Sequence, residues 1–280
     1  MASTEPPAET SNPSQKPQPS QEDLKAEFDR LLGAESFHTG WSSLLSIDPL
    51  LFRSSVSLAS VPRLKSHLRP KEQSLISLAV SSAATHLYAP GIRAHASAAL
   101  AAGATPAEVL EVIALTSTLG IHACNIGVPI LVEVLRERGG KEGGEKEDIT
   151  TAPYDEQQEA LKQEFTEKRG YWHGFWEDFL RLDPEFFAAY LEFSGLPWTR
   201  DGGQGALEPK MKELVYCAFD AAATHLYVPG LKLHMRNALG YGATPQEILE
   251  VLELATLLSL HTAHVAAPII EELLSTSKST

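Results

Sequence analysis

The sequence predicts an all-α protein made of two tandem helical repeats. A block of residues recurs almost unchanged 139 positions later, and the apolar residues around each copy are spaced three to four positions apart, as on one face of a helix. No segment shows the sustained alternation and β-branched enrichment that is typical of a strand. With 280 residues, 43% of them hydrophobic, the chain is long enough for one large domain or two ordinary ones with a substantial core.

The repeat is clearest in the sequence ATHLYAPGIRAH at 84–95, which returns as ATHLYVPGLKLH at 223–234. A second block, around Trp41, resembles the block around Trp176 with a slightly different offset. The repeating unit is somewhat over a hundred residues long, whereas solenoid repeats are far shorter. The pattern therefore indicates a tandem duplication.

Composition sets the expected boundaries of the two repeats. Residues 1–20 are rich in Pro, Ser, Thr and Gln, a composition typical of a disordered tail. A first repeat is predicted over 21–138 and a second over 154–275. Between them, 139–153 includes a Gly-rich, charged stretch and is the predicted linker.

Helix starts and stops can be read in both copies. Thr-Pro-x-Glu at 105–108 and again at 244–247 combines an N-cap, a proline at the first helical position and a capping box. Another helix is predicted over 70–87, with its twin over 209–226. Both end before a Pro-Gly pair, because this pair cannot continue a helix. The next helix is predicted to begin at the Pro-Gly pair.

One segment of the second repeat interrupts the helical pattern. Residues 196–205, LPWTRDGGQG, contain three glycines and are predicted to form a loop. Trp198 in this segment is either a lid over a site or a packed ring, and we favour the packed ring.

Charge and cysteine content narrow the class of protein. A formal charge of −13 and a pI near 5.2 argue against a nucleic-acid partner, because a phosphate backbone would be repelled. No apolar run of about 20 residues and no apolar N-terminal signal are visible, so neither membrane insertion nor export is expected. Cys124 and Cys217 occupy non-equivalent positions and are interpreted as small buried residues in a reducing, cytoplasmic compartment.

The repeated block places a histidine near the start of a predicted helix in each half. His95 and His234 follow Arg93 and Lys232 by two positions. Free backbone N–H groups and the positive end of the helix dipole meet there, so a carboxylate or enolate oxygen is expected to bind. A helix N-terminus should also lower the pKa of a histidine and keep it neutral, available as a base.

His86 and His225 close the preceding predicted helices, where they could either contact a substrate or cap the helix end. The tyrosines that follow could likewise line a site or pack under the Pro-Gly bend. The candidate substrate-binding residues are Lys232, Arg93, His95, His86, Tyr227 and Tyr88.

Glu213 distinguishes the two halves. It lies on the helix that leads to His225, whereas its equivalent in the first half is Ser74. A carboxylate and a histidine can together transfer protons, so His234, Glu213 and His225 are the candidate catalytic residues. On this interpretation the first half is a degraded copy that mainly supports assembly, although His86, Arg93 and His95 could keep it active.

A metal site is an alternative use of the histidines. His225, His234, His261 and His264 could in principle surround an ion. Neither half shows a tight ligand motif, and the first half has Asn125 where the second has His264. Core or interface histidines are the favoured interpretation, and no metal and no cofactor are predicted.

The chain resembles the carboxymuconolactone decarboxylase-like family, which includes alkylhydroperoxidase D. The resemblance lies in Pro-Lys-Met-Lys-Glu-Leu at 209–214, in the histidines at 95 and 234, and in the Gly-Ala-Thr-Pro-x-Glu turns. It implies an all-helical fold, a fused double-domain chain and assembly as a homo-oligomer. Peroxidase members carry a Cys-x-x-Cys pair that is absent here, so thiol peroxidase chemistry is not expected. The decarboxylase branch implies acid–base chemistry without a cofactor.

The leading hypothesis is therefore a cofactor-independent lyase or isomerase acting on a small carboxylated or enolisable compound, such as a lactone or aromatic-pathway intermediate. His234 would exchange protons, Glu213 would orient it, and Lys232 would stabilise an oxyanion. The alternative from another class is a non-catalytic ligand-binding or scaffold protein. A metal-dependent enzyme is the third possibility.

Overall fold

The computed structural model describes residues 19–142, 151–203 and 205–277. All regular elements in these ranges are helical, which confirms the predicted all-α class. The α-helices are α1 (Gln21–Leu32), α2 (Thr39–Ile47), α3 (Pro49–Lys65), α4 (Pro70–Ser82), α5 (Ala89–Ala101), α6 (Pro106–Ser117), α7 (His122–Glu142), α8 (Glu156–Arg169), α9 (Phe175–Leu182), α10 (Pro184–Gly203), α11 (Pro209–Ala221), α12 (Val228–Gly240), α13 (Pro245–Thr256) and α14 (Leu260–Ser277).

Local capping explains where several helices begin. Thr105 and Thr244 accept hydrogen bonds from the backbone N–H three residues on, and both complete a capping box with a glutamate. The helices predicted over 70–87 and 209–226 end earlier, at Ser82 and Ala221. A sharp turn follows each of these helices, and in it Leu87 and Leu226 have φ values of +49° and +54°.

The predicted loop over 196–205 is wrong for most of its length, because α10 continues to Gly203. Trp198 is a packed ring, only 8% exposed, in the core that both repeats share. The carbonyl of Pro197 accepts a 2.6 Å hydrogen bond from the buried Lys212 ammonium, which lies 4.9 Å from the Trp198 ring centroid. These tertiary contacts outweigh the poor helix propensity of Pro and Gly.

The two repeats pack against each other through equivalent residues and helices. Thr85 Oγ1 and Thr224 Oγ1, which occupy equivalent positions, lie 3.2 Å apart, and α4 packs against α11. The last helix of each repeat crosses to the other, since α14 packs on α2 and α7 packs on α9. The repeats predicted at 21–138 and 154–275 therefore share a core, and each packs its last helix on the other.

Buried polar pairs fix this arrangement at equivalent positions in the two halves. Glu111 lies 3.2 Å from Lys212, and Glu250 accepts a 2.7 Å hydrogen bond from Gln73. Each glutamate also accepts backbone N–H bonds from the segment before the α4 or α11 helix. Both pairs join one repeat to the other.

The predicted tail and linker fall largely outside the described residues. The tail, 1–20, is described only from residue 19, where Ser20 caps α1 in a capping box with Asp23. The linker predicted at 139–153 begins as helix, because α7 extends to Glu142, and residues 143–150 are not described.

Two helical stretches, Pro106–Arg138 and Pro245–Ser277, are long and apolar enough to cross a membrane by length and composition. By contrast, no membrane-spanning segment is expected from the sequence when only uninterrupted apolar runs are counted. The criterion is weak, since core helices of soluble proteins also satisfy it. Of the apolar 18-residue window in each stretch, about a third or less is buried, which leaves apolar faces exposed.

Candidate functional site

Each half of the molecule contains a cavity, but the two differ in size. The first, about 160 Å³, is lined by Ser74, Ser77 and Ser81 of α4, and we call it the serine cavity. The second, about 30 Å³, is lined by four tyrosines, and we call it the tyrosine cavity. These tyrosines are Tyr171, Tyr190, Tyr216 and Tyr227. Small side chains on α4, against larger ones at equivalent positions of α11, account for the difference in volume.

A carboxylate–histidine pair lies at the tyrosine cavity, with His234 in the cavity wall and Glu213 buried behind it. His234 Nδ1 lies 2.6 Å from Glu213 Oε2, and the two residues are 6% and 0% exposed. Asn237 donates to the other carboxylate oxygen over 3.3 Å, and the His234 ring stacks on Tyr216 at 4.3 Å. Because Nδ1 is held by the carboxylate, Nε2 is the ring nitrogen left for exchange with a substrate.

His225 lies elsewhere than predicted. Its Nε2 lies 2.5 Å from Nδ1 of His122, and it is His122, not His225, that lines the tyrosine cavity beside His234. Sequence reasoning missed His122 as a site residue because it belongs to the first repeat and arrives through the crossing of α7. The sequence did contain a signal, because His122 occupies the position equivalent to His261 in the other repeat. His261 lies 2.7 Å from His86, as His122 lies close to His225.

Behind the histidine pair lies a buried carboxylate with no hydrogen-bond partner among the described residues. Neither oxygen of Asp220 accepts a hydrogen bond from a described residue, although ring nitrogens of His122 and His225 lie 3.8 Å and 4.0 Å from Oδ1. Burial, with Glu213 adding to it, raises the pKa of Asp220 to about 8. A Cβ at Gly230 would lie 2.4 Å from an Asp220 oxygen, so the glycine of the second Pro-Gly pair is required by this close approach. Burial, with His225 adding, lowers the pKa of His122 to about 3, so His122 is neutral at pH 7.

The four histidines considered as a metal site do not converge. His261 and His264 line the serine cavity, whereas His234 lines the tyrosine cavity. Among the described residues, the group close enough to hold an ion is His122, Asp220 and His225. Its two ring nitrogens are 2.5 Å apart, shorter than the roughly 3.3 Å between two nitrogens on a tetrahedral zinc, so the geometry is that of a hydrogen bond.

The cations at the cavities are not the predicted ones. Arg93 and Lys232 are exposed and line neither cavity, because a residue two positions before an inward-facing histidine points away from it on a helix. Arg63 lines the serine cavity instead. Arg169 lines the tyrosine cavity, where it is buried and donates to the Tyr171 hydroxyl over 3.1 Å.

The serine cavity brings together other predicted residues. His95 and Tyr88 line it, whereas His86 does not. The pKa of His95 is lowered to about 4, as expected in direction, but burial is the main cause, with His38 and Arg63 adding to it. In the tyrosine cavity, Tyr227 lies in the equivalent place and stacks on His122 at 3.8 Å.

Comparison with known proteins agrees with this fold. The model of the carboxymuconolactone decarboxylase family matches residues 50–121 and 184–268, one segment in each repeat. A solved structure from Burkholderia xenovorans LB400, provisionally described as a gamma-carboxymuconolactone decarboxylase subunit, is similar over 93% of this chain and 100% of its own. The two share 48% sequence identity and a TM-score of 0.84. No curated protein matches the chain. The chain belongs to the carboxymuconolactone decarboxylase family.

Proposed function

We propose that the protein is a cofactor-independent acid–base enzyme, a lyase of the decarboxylase type, acting on a small carboxylated or enolisable compound such as a lactone. Its reaction would take place at the tyrosine cavity. The observation that carries this proposal is the buried 2.6 Å contact between Glu213 and His234, of which His234 lines the cavity. Family membership supports the reaction type.

The side chains around the cavity suit a decarboxylation. When the bond to the carboxyl carbon breaks, CO₂ leaves. The electron pair of that bond stays on the substrate and moves into a conjugated carbonyl, which becomes an enolate. Arg169 and the tyrosine hydroxyls can stabilise the enolate oxygen, since burial raises the pKa of Tyr171 and Tyr190 and keeps both protonated. His234 can then return a proton to carbon, while Glu213 holds the ring in place.

Substrate entry requires the cavity wall to move. A volume of about 30 Å³ is well below the roughly 150 Å³ of an apolar cavity that accepts benzene. Tyr171 lies in the short connection between α8 and α9, a wall segment outside any helix. We therefore assign the opening of the site to this connection.

The repeat supplies a matched test. Glu213→Gln and His234→Gln should each reduce kcat on a carboxylated lactone about 10²- to 10⁴-fold, the usual contribution of a general acid or base. His95→Gln changes the equivalent histidine of the serine cavity and should leave kcat within a few-fold. Retained turnover in His234→Gln would refute the proposed site, and the absence of turnover with any such compound would favour the non-catalytic alternative.

Assembly as a homo-oligomer is part of the proposal. Large apolar side chains are exposed at five positions of α7 and at the five equivalent positions of α14. They are Ile126, Ile130, Leu131, Val134 and Leu135, and Val265, Ile269, Ile270, Leu273 and Leu274. A duplicated apolar face suits contact with further copies of the chain. Light scattering should give a multiple of 30.4 kDa, and a monomer at micromolar concentration would contradict this.

A further inference from the structure

We propose that the serine cavity is a second ligand site, which binds a small cyclic monocarboxylate and does not convert it. Its volume of about 160 Å³ is close to the roughly 150 Å³ of an apolar cavity that accepts benzene. Leu32, Trp41, Val80, Leu254 and Leu258 contribute apolar wall, so a ring of about six atoms fits the space. The tyrosine cavity, at about 30 Å³, offers no such room as it stands.

Buried polar atoms in the wall lack partners among the described residues. Ser81 is fully buried and its hydroxyl is unpaired, and neither ring nitrogen of His264, which is 7% exposed, has a hydrogen-bond partner. Leaving such groups unpaired costs about 1–3 kcal/mol each, so native proteins pair nearly all of them. A ligand with oxygen atoms in the cavity would supply the missing partners.

The charge of the wall selects an anion. Arg63 lines the cavity, and no Asp or Glu is among the described lining residues. Its Nη1 donates to the carbonyl of Leu32, which fixes the guanidinium at the cavity edge. Burial lowers the pKa of His264 to about 3 and that of His95 to about 4, so both rings are neutral donors and acceptors at pH 7. One guanidinium with neutral donors matches a single carboxylate.

The same wall lacks the machinery proposed for turnover. Ser74, which lines the serine cavity, occupies the position equivalent to Glu213, and its hydroxyl donates to the carbonyl of Pro70 within its own helix. His95 therefore has no carboxylate at the position that holds His234 in the other half. The serine cavity is accordingly assigned to binding alone. The lack of conversion rests on the proposed function, whereas the binding of a carboxylate does not.

Benzoate is the probe for this site, titrated into the full-length protein by calorimetry at pH 7. Ser77→Tyr copies Tyr216 of the other half and should fill the cavity, which would abolish the binding heat. Ala98→Leu fills it from α5 and serves as the second blocking variant, so the result stands even where one variant fails to fold. Arg63→Gln should weaken binding at least tenfold, whereas Arg53→Gln, which changes an arginine of the same helix that does not line the cavity, should not.

The outcomes separate this site from the proposed active site. Glu213→Gln should lose turnover and still bind benzoate with unchanged affinity. No benzoate binding to the wild-type protein, or wild-type affinity in folded Ser77→Tyr or Ala98→Leu protein, overturns the proposal. Equal affinity for the neutral analogue benzamide, together with no effect of Arg63→Gln, overturns the assignment to carboxylates.

Discussion

Replacing Asp220 with Asn should make the protein more stable, increasingly so as the pH rises. Asp220 is fully buried, neither of its oxygens has a hydrogen-bond partner among the described residues, and its pKa is raised from 3.8 to about 8. Between those two pH values the folded state holds a proton that the unfolded state has released. The free energy of unfolding therefore falls as the pH rises through this window.

The size of the effect follows from the pKa values. Within the window, a single group changes stability by about 1.4 kcal/mol per pH unit. Asn cannot ionise, so the advantage of Asp220→Asn over the wild type should grow by about 2.7 kcal/mol between pH 5 and pH 7. His122 and His225 face the carboxylate, but their own titration occurs in both proteins and cancels in the difference.

Urea unfolding of both proteins at pH 5, 6 and 7 measures this difference. Glu192→Gln, which replaces an exposed carboxylate on α10, is the control and should give a difference that does not change with pH. A variant that is less stable than the wild type at pH 7 would refute the reasoning. It would mean that Asp220 is ionised and paired with a protonated His122 or His225.

Two further substitutions test the packing that positions the cavities. Gly40→Ala should lower the free energy of unfolding by about 1–3 kcal/mol in thermal denaturation, because its Cβ would lie 2.7 Å from the backbone oxygen of His264. Gly120→Ala is the control, because its Cβ would enter open space. Glu111→Gln should cost about 3–5 kcal/mol in chemical unfolding, because a buried lysine loses its carboxylate. Glu250→Gln, which faces a neutral glutamine, should cost clearly less, and equal losses would contradict this account.

Much of the candidate site could be predicted because its parts are close in the chain. Glu213 and His234 lie on α11 and α12, which are joined by one short turn, so a repeat comparison was enough to suggest the pair. The loop predicted around Trp198 was wrong for the opposite reason. Its helix is held by burial and by contacts with Arg169 and Lys212, which no local pattern reveals.

The helical class, the duplication and the starts of the helices could be predicted from the amino-acid sequence, because capping and apolar spacing are local properties of the chain. Which histidine joins His234 depends on tertiary contacts, since His122 comes from the other repeat through the crossing of α7. These contacts also decide which cations face the cavities, and that the half without Glu213 has the larger one. Contacts between helices distant in sequence depend on how side-chain volumes pack, and spacing along the chain does not encode that packing.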